Sequence, residues 1–271
     1  MNTVEGQNIA IEWREADGDA SRFPVFAAEL VRLNVDIIVA AVNPAIEAAR
    51  TATKTIPIIM VNASDPVGTG FVRSLAKPGG NVTGLTYRTR EAVPKRLQLL
   101  KETLPALTRI AVLWDATEPI RRQQVEEAEG AAPKVGVRLQ VVDVRSPADL
   151  DGAFAAMTRE GAGAVLVEAS TTLAGNRARV AELAVKRRLP TIGWFGGIAD
   201  AGFLIGFGPN LREQYRRAAY FVDRILKGAA PADLPVEQPI TFELVINLKT
   251  AEALGVTIPP SVLLRADRVI Q

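Results

Sequence analysis

Short β-branched runs alternate along most of the chain with stretches whose apolar residues recur every three or four positions. That alternation predicts parallel α/β units rather than a sandwich or a helical bundle. The runs that read as strands cover 8–13, 35–41, 56–62, 81–87, 109–115, 138–144, 164–169, 190–194 and 203–207. Their near-continuous Val, Ile and Leu predict sheets covered on both faces. Helix starts are legible between them. Ser146 precedes Pro147 and the stripe Leu150, Phe154 and Met157; Asn210 precedes Leu211, Tyr215, Ala218, Val222 and Ile225, with Gly228 as the stop. A third helix carries Val93, Leu97, Leu100 and Leu104, tolerates Pro94 in its first turn, and is expected to link two halves.

The two halves echo each other. A helix, the strand 35–40, a loop, a helix over 45–54 and the strand 56–59 form one unit. The same order returns with 162–167, a helix over 177–188 and 189–192, about 130 residues later. This predicts two similar open-sheet lobes.

Composition narrows the chemistry. The 271 residues include neither cysteine nor histidine, which excludes disulfides, the usual tetrahedral zinc sites, Ser-His-Asp and Cys-His relays and an imidazole base. With 48% hydrophobic and 23% charged residues the chain has the makeup of a globular protein, and its length suits two domains. Thirty-two basic residues against 30 acidic ones, well mixed, leave a net charge of +2 and no nucleic-acid footprint. The longest apolar stretches, 35–42 and 56–61, fall short of the roughly 20 residues that cross a bilayer. The polar opening residues 1–7 do not read as a secretory signal.

In open parallel sheets ligands lie beyond the carboxyl ends of the strands, where helix N-termini present free N–H groups. The candidates there are Asn43, Ser64, Asp65, Thr86, Tyr87, Trp114, Asp115, Glu168, Ser170, Trp194 and Phe195. Two of three tryptophans and one of three tyrosines fall in this set, as suits a small-molecule site. Capping serves equally well for Asp65 and Asn43, each before a proline, and either tryptophan could close a sheet edge. Glu168 is the more pointed case, because a buried carboxylate costs several kcal/mol unless a cation or donors meet it. Gly68-Thr69-Gly70 departs from a dinucleotide loop at Arg73, and no Walker lysine loop is present. No metal ligand set and no cofactor are expected.

Several segments carry a family resemblance: Val4-Glu5-Gly6-Gln7-Asn8-Ile9, Ile56-Pro57-Ile58, Asp65-Pro66-Val67, Lys77-Pro78-Gly79-Gly80-Asn81-Val82-Thr83-Gly84, the stretch from Phe242 to Ala251, read as a closing helix, and the tail from Leu254 to Asp267. Together they resemble the ABC-transporter substrate-binding proteins of the tryptophan/tyrosine-binding type. The resemblance implies a type I periplasmic-binding-protein fold: two α/β lobes closing by a hinge on a solute held between them. It implies a small-molecule partner and an ABC permease, periplasmic location, a monomer and no catalysis. On this basis 1–87 with about 205–235 forms the first lobe, and 88–204 with about 236–271 the second.

Asn43 stands where such proteins commonly have threonine, Asp65 matches their Asp-Pro aspartate, and Thr86 and Tyr87 take the positions of a serine and an aromatic. Asp115 replaces a frequent asparagine and Ser170 a common aspartate, while the segment Trp194-Phe195-Gly196-Gly197-Ile198 departs from the usual pattern. An amino-acid-like solute, aromatic or hydrophobic, would then place its carboxylate near Asn43 and Thr86 and its ammonium near Asp65, Asp115 or Glu168. Tyr87, Trp114 and Phe195 would form apolar walls. Such proteins also carry a signal peptide and a strand upstream of Val-Glu-Gly-Gln-Asn, so the first strand of the first lobe is expected to be missing here, with unpaired backbone groups as the consequence. Two other readings are an α/β enzyme using cleft carboxylates and the effector-binding part of a transcription regulator.

Overall fold

The computed structural model describes residues 5–87, 89–118, 121–238 and 241–271, with side chains left aside at 89–91. In chain order the strands are β1 (Ile38–Ala41), β2 (Ile58–Ser64), β3 (Val82–Tyr87), β4 (Arg109–Asp115), β5 (Arg138–Val144), β6 (Ala164–Val167), β7 (Thr191–Gly193), β8 (Ile205–Pro209), β9 (Phe242–Asn247) and β10 (Arg268–Ile270). The helices are α1 (Phe23–Arg32), α2 (Asn43–Ala52), α3 (Thr89–Thr103), α4 (Arg122–Val135), α5 (Leu150–Arg159), α6 (Thr171–Gly175), α7 (Arg177–Lys186), α8 (Leu211–Leu226), α9 (Leu248–Leu254) and α10 (Pro260–Leu263). The chain divides into two units, Met1–Tyr87 with Leu211–Pro239 and Arg88–Asn210 with Ile240–Gln271.

The first unit holds a three-stranded sheet of order β1-β2-β3, parallel throughout. Its β2 is a buried run of Ile58, Ile59, Met60 and Val61, as a strand covered on both faces should be. Between Met60 and Ala63 the pairing with β3 shifts, and Asn62 there takes a positive φ of 57°. Opposite Met60, Gly84 has φ +124° and a Cβ on it would meet Met60 O at 2.3 Å, so this close approach of two backbones requires glycine.

The second unit holds a seven-stranded sheet of order β10-β9-β8-β7-β6-β4-β5. Its pairs are parallel except β8 with β9. Ile110, Val112, Ala164, Leu166 and Ile192 pack against α3 and α4 residues such as Val93, Leu97 and Val125. The other face carries Leu113, Val165 and Val167 against Phe154, Met157 and Val180 of α5 and α7.

The internal echo is visible as matching parallel neighbours: β1 with β2 across α2, and β6 with β7 across α7. It extends upstream. A one-turn 3₁₀ helix precedes α1 (Ala20–Arg22) and another precedes α5 (Pro147–Asp149). Asp19 Oδ1 accepts from Ser21 N at 3.0 Å and Ser21 Oγ at 2.6 Å. Asp149 Oδ2 accepts from the N–H groups of Arg145 and Ser146, both at 2.9 Å. Those donors hold both aspartates below the ordinary carboxylate value: chiefly the Ser21 hydroxyl for Asp19, and the Arg145 N–H for Asp149.

Two expectations are corrected. Residues 8–13 do not form a strand, although their alternation suits one. A strand exists only through its ladder, and no strand lies beside this stretch in either sheet. The stretch from Phe242 to Ala251 is not one helix: 242–247 is β9, paired with β8 and β10, and α9 starts only after Asn247, whose Oδ1 accepts from Thr250 N at 3.0 Å. The strand expected over 203–207 begins at Ile205, and those over 164–169 and 190–194 shorten to four and three residues. No helix among the described residues is long and apolar enough to cross a membrane.

Candidate functional site

At the carboxyl edge of the first unit the backbone is unusual before any side chain is considered. Val42, directly after β1, has φ 66° and ψ 156°, a conformation that a β-branched residue rarely takes. It is held from both sides: Val42 N donates to Val61 O at 3.1 Å, and Ile46 N donates to Val42 O at 3.1 Å. Asn43, buried at the start of α2, then clasps the end of β2. Its Nδ2 donates to Ser64 O at 2.9 Å and its Oδ1 accepts from Ser64 N at 2.8 Å. Thr86 Oγ1 donates to Ala63 O at 2.7 Å, and Tyr87 is buried beside it.

Asn43, Ser64 and Thr86 therefore fasten adjoining strand ends. Asp65 is exposed, with φ 41°, and folds a turn: its Oδ1 accepts from Gly68 N at 3.0 Å, and its backbone oxygen accepts from Thr69 Oγ1 at 2.8 Å. Of the first-unit candidates, Asp65 is the one engaged as a turn former.

The second unit gathers charge. All five buried charged side chains among the described residues belong to it: Arg96, Asp115, Glu118, Arg121 and Glu168. Strand register explains part of the gathering. Leu113 of β4 lies opposite Val167 of β6, and Glu168 N donates to Leu113 O at 2.9 Å, so Trp114, Asp115 and Glu168 leave neighbouring strands at one edge. From α3, Arg96 Nη1 meets Glu168 Oε2 at 3.2 Å, with both side chains almost fully buried. Arg121 Nε meets Glu118 Oε2 at 2.9 Å, and Glu118 Oε1 accepts from Thr171 N at 2.7 Å. Asp115 has no guanidinium partner among the described residues; its Oδ1 accepts from Thr117 N and Thr117 Oγ1 at 2.9 and 2.6 Å.

Among the described residues, three carboxylates against two guanidinium groups leave this buried edge one formal negative charge in excess. Asp115 Oδ2, Glu168 Oε1 and Trp114 Nε1 are buried with no hydrogen-bond partner among the described residues. Each such atom costs about 1–3 kcal/mol, a cost that a ligand bringing donors and a cation would offset.

Ser170 belongs to the same edge, but its Oγ accepts from Leu173 N at 3.0 Å and caps α6. Trp194 is built into the core, edge-on to Phe203 with centroids 6.5 Å apart and tilted against Phe195 at 5.8 Å. Phe195 is only partly buried against that core. Sequence reasoning missed Arg96, Glu118, Arg121 and the buried Gln124, whose amide atoms also lack partners among the described residues. A signal existed for Arg96: it lies three residues after Val93 and four before Leu100, inside an otherwise apolar helix stripe. No comparable pattern marked the others.

Comparison with known proteins gives a consistent picture. The family described as "ABC transporter substrate binding protein" matches residues 2–270. A tyrosine-binding protein of Clostridioides difficile is 28% identical over 250 residues, covering 92% of this chain and 72% of its own. A conserved domain protein from Vibrio cholerae superposes with a TM-score of 0.90 at 30% identity, over 98% of this chain and 88% of that one. An ABC domain from Streptococcus pneumonia, solved in complex with L-Trp, does so with a TM-score of 0.86 at 30% identity, over 97% and 90%.

Proposed function

Because the chain belongs to the ABC transporter substrate-binding protein family, we propose that the small molecule it captures for an ABC transporter is a free amino acid with an aromatic or other apolar side chain. The observation that carries this reading is the buried, negatively charged edge of the second unit. Asp115 Oδ2 and Glu168 Oε1 are acceptors without donors among the described residues, and an ammonium group supplies both donors and positive charge. The relatives named for tyrosine binding and solved with L-Trp point the same way.

In this reading Asp115 and Glu168 receive the ammonium, with Arg96 holding Glu168 in place, and Trp114 and Phe195 supply apolar wall. Asn43, Ser64 and Thr86 fasten the strand ends of the first unit, while Asp65, Ser170 and Trp194 act through the turn, cap and core that they build. The chain works as a monomer outside the cytoplasmic membrane, hands the amino acid to the permease and leaves it chemically unchanged.

Thermal unfolding with a panel of ligands tests this. L-Trp or L-Tyr at 100 times its dissociation constant is expected to add about 2.7 kcal/mol of stability. N-acetyl-L-tryptophan, which lacks the ammonium, is expected to add nothing, and ligand recovered after prolonged incubation is expected to be intact by NMR. Equal stabilisation by the acetylated and free amino acids, or none by any apolar amino acid, would sink the reading.

A further inference from the structure

Two buried polar groups of the second unit are not used by the ammonium contacts. Gln124 is 2% exposed, and neither its Oε1 nor its Nε2 has a hydrogen-bond partner among the described residues. Trp114 Nε1 is a buried donor in the same condition. Buried amides and indole N–H groups are ordinarily satisfied, so two such groups in one layer call for a partner.

Strand alternation and helix period bring them together. Along β4, Ile110, Val112 and Trp114 face the core built on α3 and α4, while Ala111 and Leu113 face the opposite one. The helix α4 follows β4 and leads back to β5, which pairs with β4 in parallel from Arg109 opposite Arg138. It therefore runs against the strands and begins at their carboxyl edge. Gln124 is its third residue, one turn before Ala128, which lies in the same core that Trp114 packs against. Both groups thus belong to the α4 side of the edge at which Asp115 and Glu168 leave β4 and β6.

The chemistry of the three atoms is selective. Trp114 Nε1 and Gln124 Nε2 only donate, and Gln124 Oε1 only accepts. A phenyl ring offers them nothing. An indole N–H serves Oε1 and leaves both donors without an acceptor. A carboxylate serves the donors but not Oε1, and it adds negative charge to an edge that already has an excess. A phenolic hydroxyl donates to Oε1 and accepts from a neighbouring donor at the same time.

We infer that Gln124, together with Trp114 Nε1, is a specificity-determining residue of the second unit: it receives the phenolic hydroxyl of the bound amino acid and so ranks phenol above indole and indole above phenyl. The inference rests on the amino-acid reading and adds to it a residue and a rank order. A site built to bond a hydroxyl rejects the analogue lacking it by up to about 10⁵-fold, because its own buried groups are then left unpaired.

Calorimetric titration of the full 271-residue protein with L-Tyr, L-Trp, L-Phe and O-methyl-L-tyrosine tests this. L-Tyr is expected to bind roughly 100-fold or more tighter than L-Phe, with L-Trp between them. O-methyl-L-tyrosine, which accepts but cannot donate, should bind about tenfold or more weaker than L-Tyr. Gln124→Leu should cut the preference for L-Tyr over L-Phe about tenfold or more, without lowering the unfolding midpoint, because it removes unsatisfied atoms rather than a bond. In the parent, L-Tyr should shift the side-chain amide signals of Gln124 in NMR spectra further than L-Phe does, a readout that needs no variant to fold. A preference for L-Tyr below about threefold in the parent, or one unchanged in Gln124→Leu, would overturn the inference and leave the two groups as holders of an ordered water. L-Phe binding as tightly as L-Tyr, with N-acetyl-L-phenylalanine silent, would remove the role of Gln124 and keep the amino-acid reading. Binding by none of these ligands would overturn both.

Discussion

The two units share a plan and differ in what they bury. The second keeps β4 in the middle of its sheet, sets five charged side chains into its carboxyl edge and leaves few large apolar residues uncovered. The first buries no charged side chain among the described residues, ends its sheet at β1 and exposes six large apolar side chains around one cavity. Unsatisfied polar atoms in the second unit point to a ligand, while the first unit leaves the outer backbone groups of β1 and an apolar surface uncovered. The same repeat thus presents two different deficits.

The largest effect should come from the buried charges. Arg96→Ala strands Glu168 and is expected to lower stability by about 3–5 kcal/mol in urea unfolding. The double variant Arg96→Met/Glu168→Leu should recover most of that loss, because an apolar pair needs no desolvation. If the single variant costs under 1 kcal/mol, the edge is wetter than its burial implies, and the contrast between the units weakens.

Ligand binding separates the units next. Asp115→Asn removes the charge but not the shape, and a hydrogen bond to an ammonium contributes about 1.5–3 kcal/mol, so affinity for the bound amino acid should fall roughly 10- to 150-fold. Asp65→Asn in the first unit should change affinity by less than about threefold, since its carboxylate already caps a turn at Gly68 N. Calorimetric titration of both variants checks this; equal losses would count against an ammonium site in the second unit.

Legibility followed the same division. The strands 109–115 and 138–144 were readable to the residue: the inner β4 because continuous Val, Ile and Leu report burial on both faces, and the edge strand β5 from its β-branched run although only one of its residues is buried. The stretch 8–13 reads as a strand and is not one, because alternation describes side chains and says nothing of a neighbour for the backbone. Phe242 to Asn247 was misread as helix for a related reason: its pairing with β8 and β10 is long-range, and the cap at Asn247 was hidden inside the pattern. At the site, residues at strand ends were found because topology places them there. Arg121 and Gln124 were not, since helix residues reach that edge only through packing.

A smaller contrast lies in the backbone at Val42. Valine to glycine ordinarily costs stability through chain entropy and lost packing, but here glycine relieves a conformation that costs a valine about 1–3 kcal/mol. Val42→Gly is therefore expected to leave the unfolding midpoint within about 1 kcal/mol of the parent. A loss above 2 kcal/mol would show that the Val42 side chain contributes more than its backbone strain costs.

The smallest effect tests the most conservative part of the repeat, the aspartates beside the two 3₁₀ turns. Both folded-state values lie below the ordinary aspartate value of 3.8, because Ser21 donors hold Asp19 ionised and the Arg145 and Ser146 donors hold Asp149. A depressed folded value means that the contribution is present above the unfolded value and is lost as pH falls through the folded one, hence below pH 3.8. Asp19→Asn and Asp149→Asn should each lower the melting temperature slightly at neutral pH and leave it unchanged at the acid end, where the parent has lost the same interaction. Both aspartates are exposed, so the difference is small in either unit. Equal pH slopes for the two variants would show that the turn and its helix are the same device in both units, with the divergence confined to what lies beyond them: a sheet edge in one and a cluster of buried charges in the other.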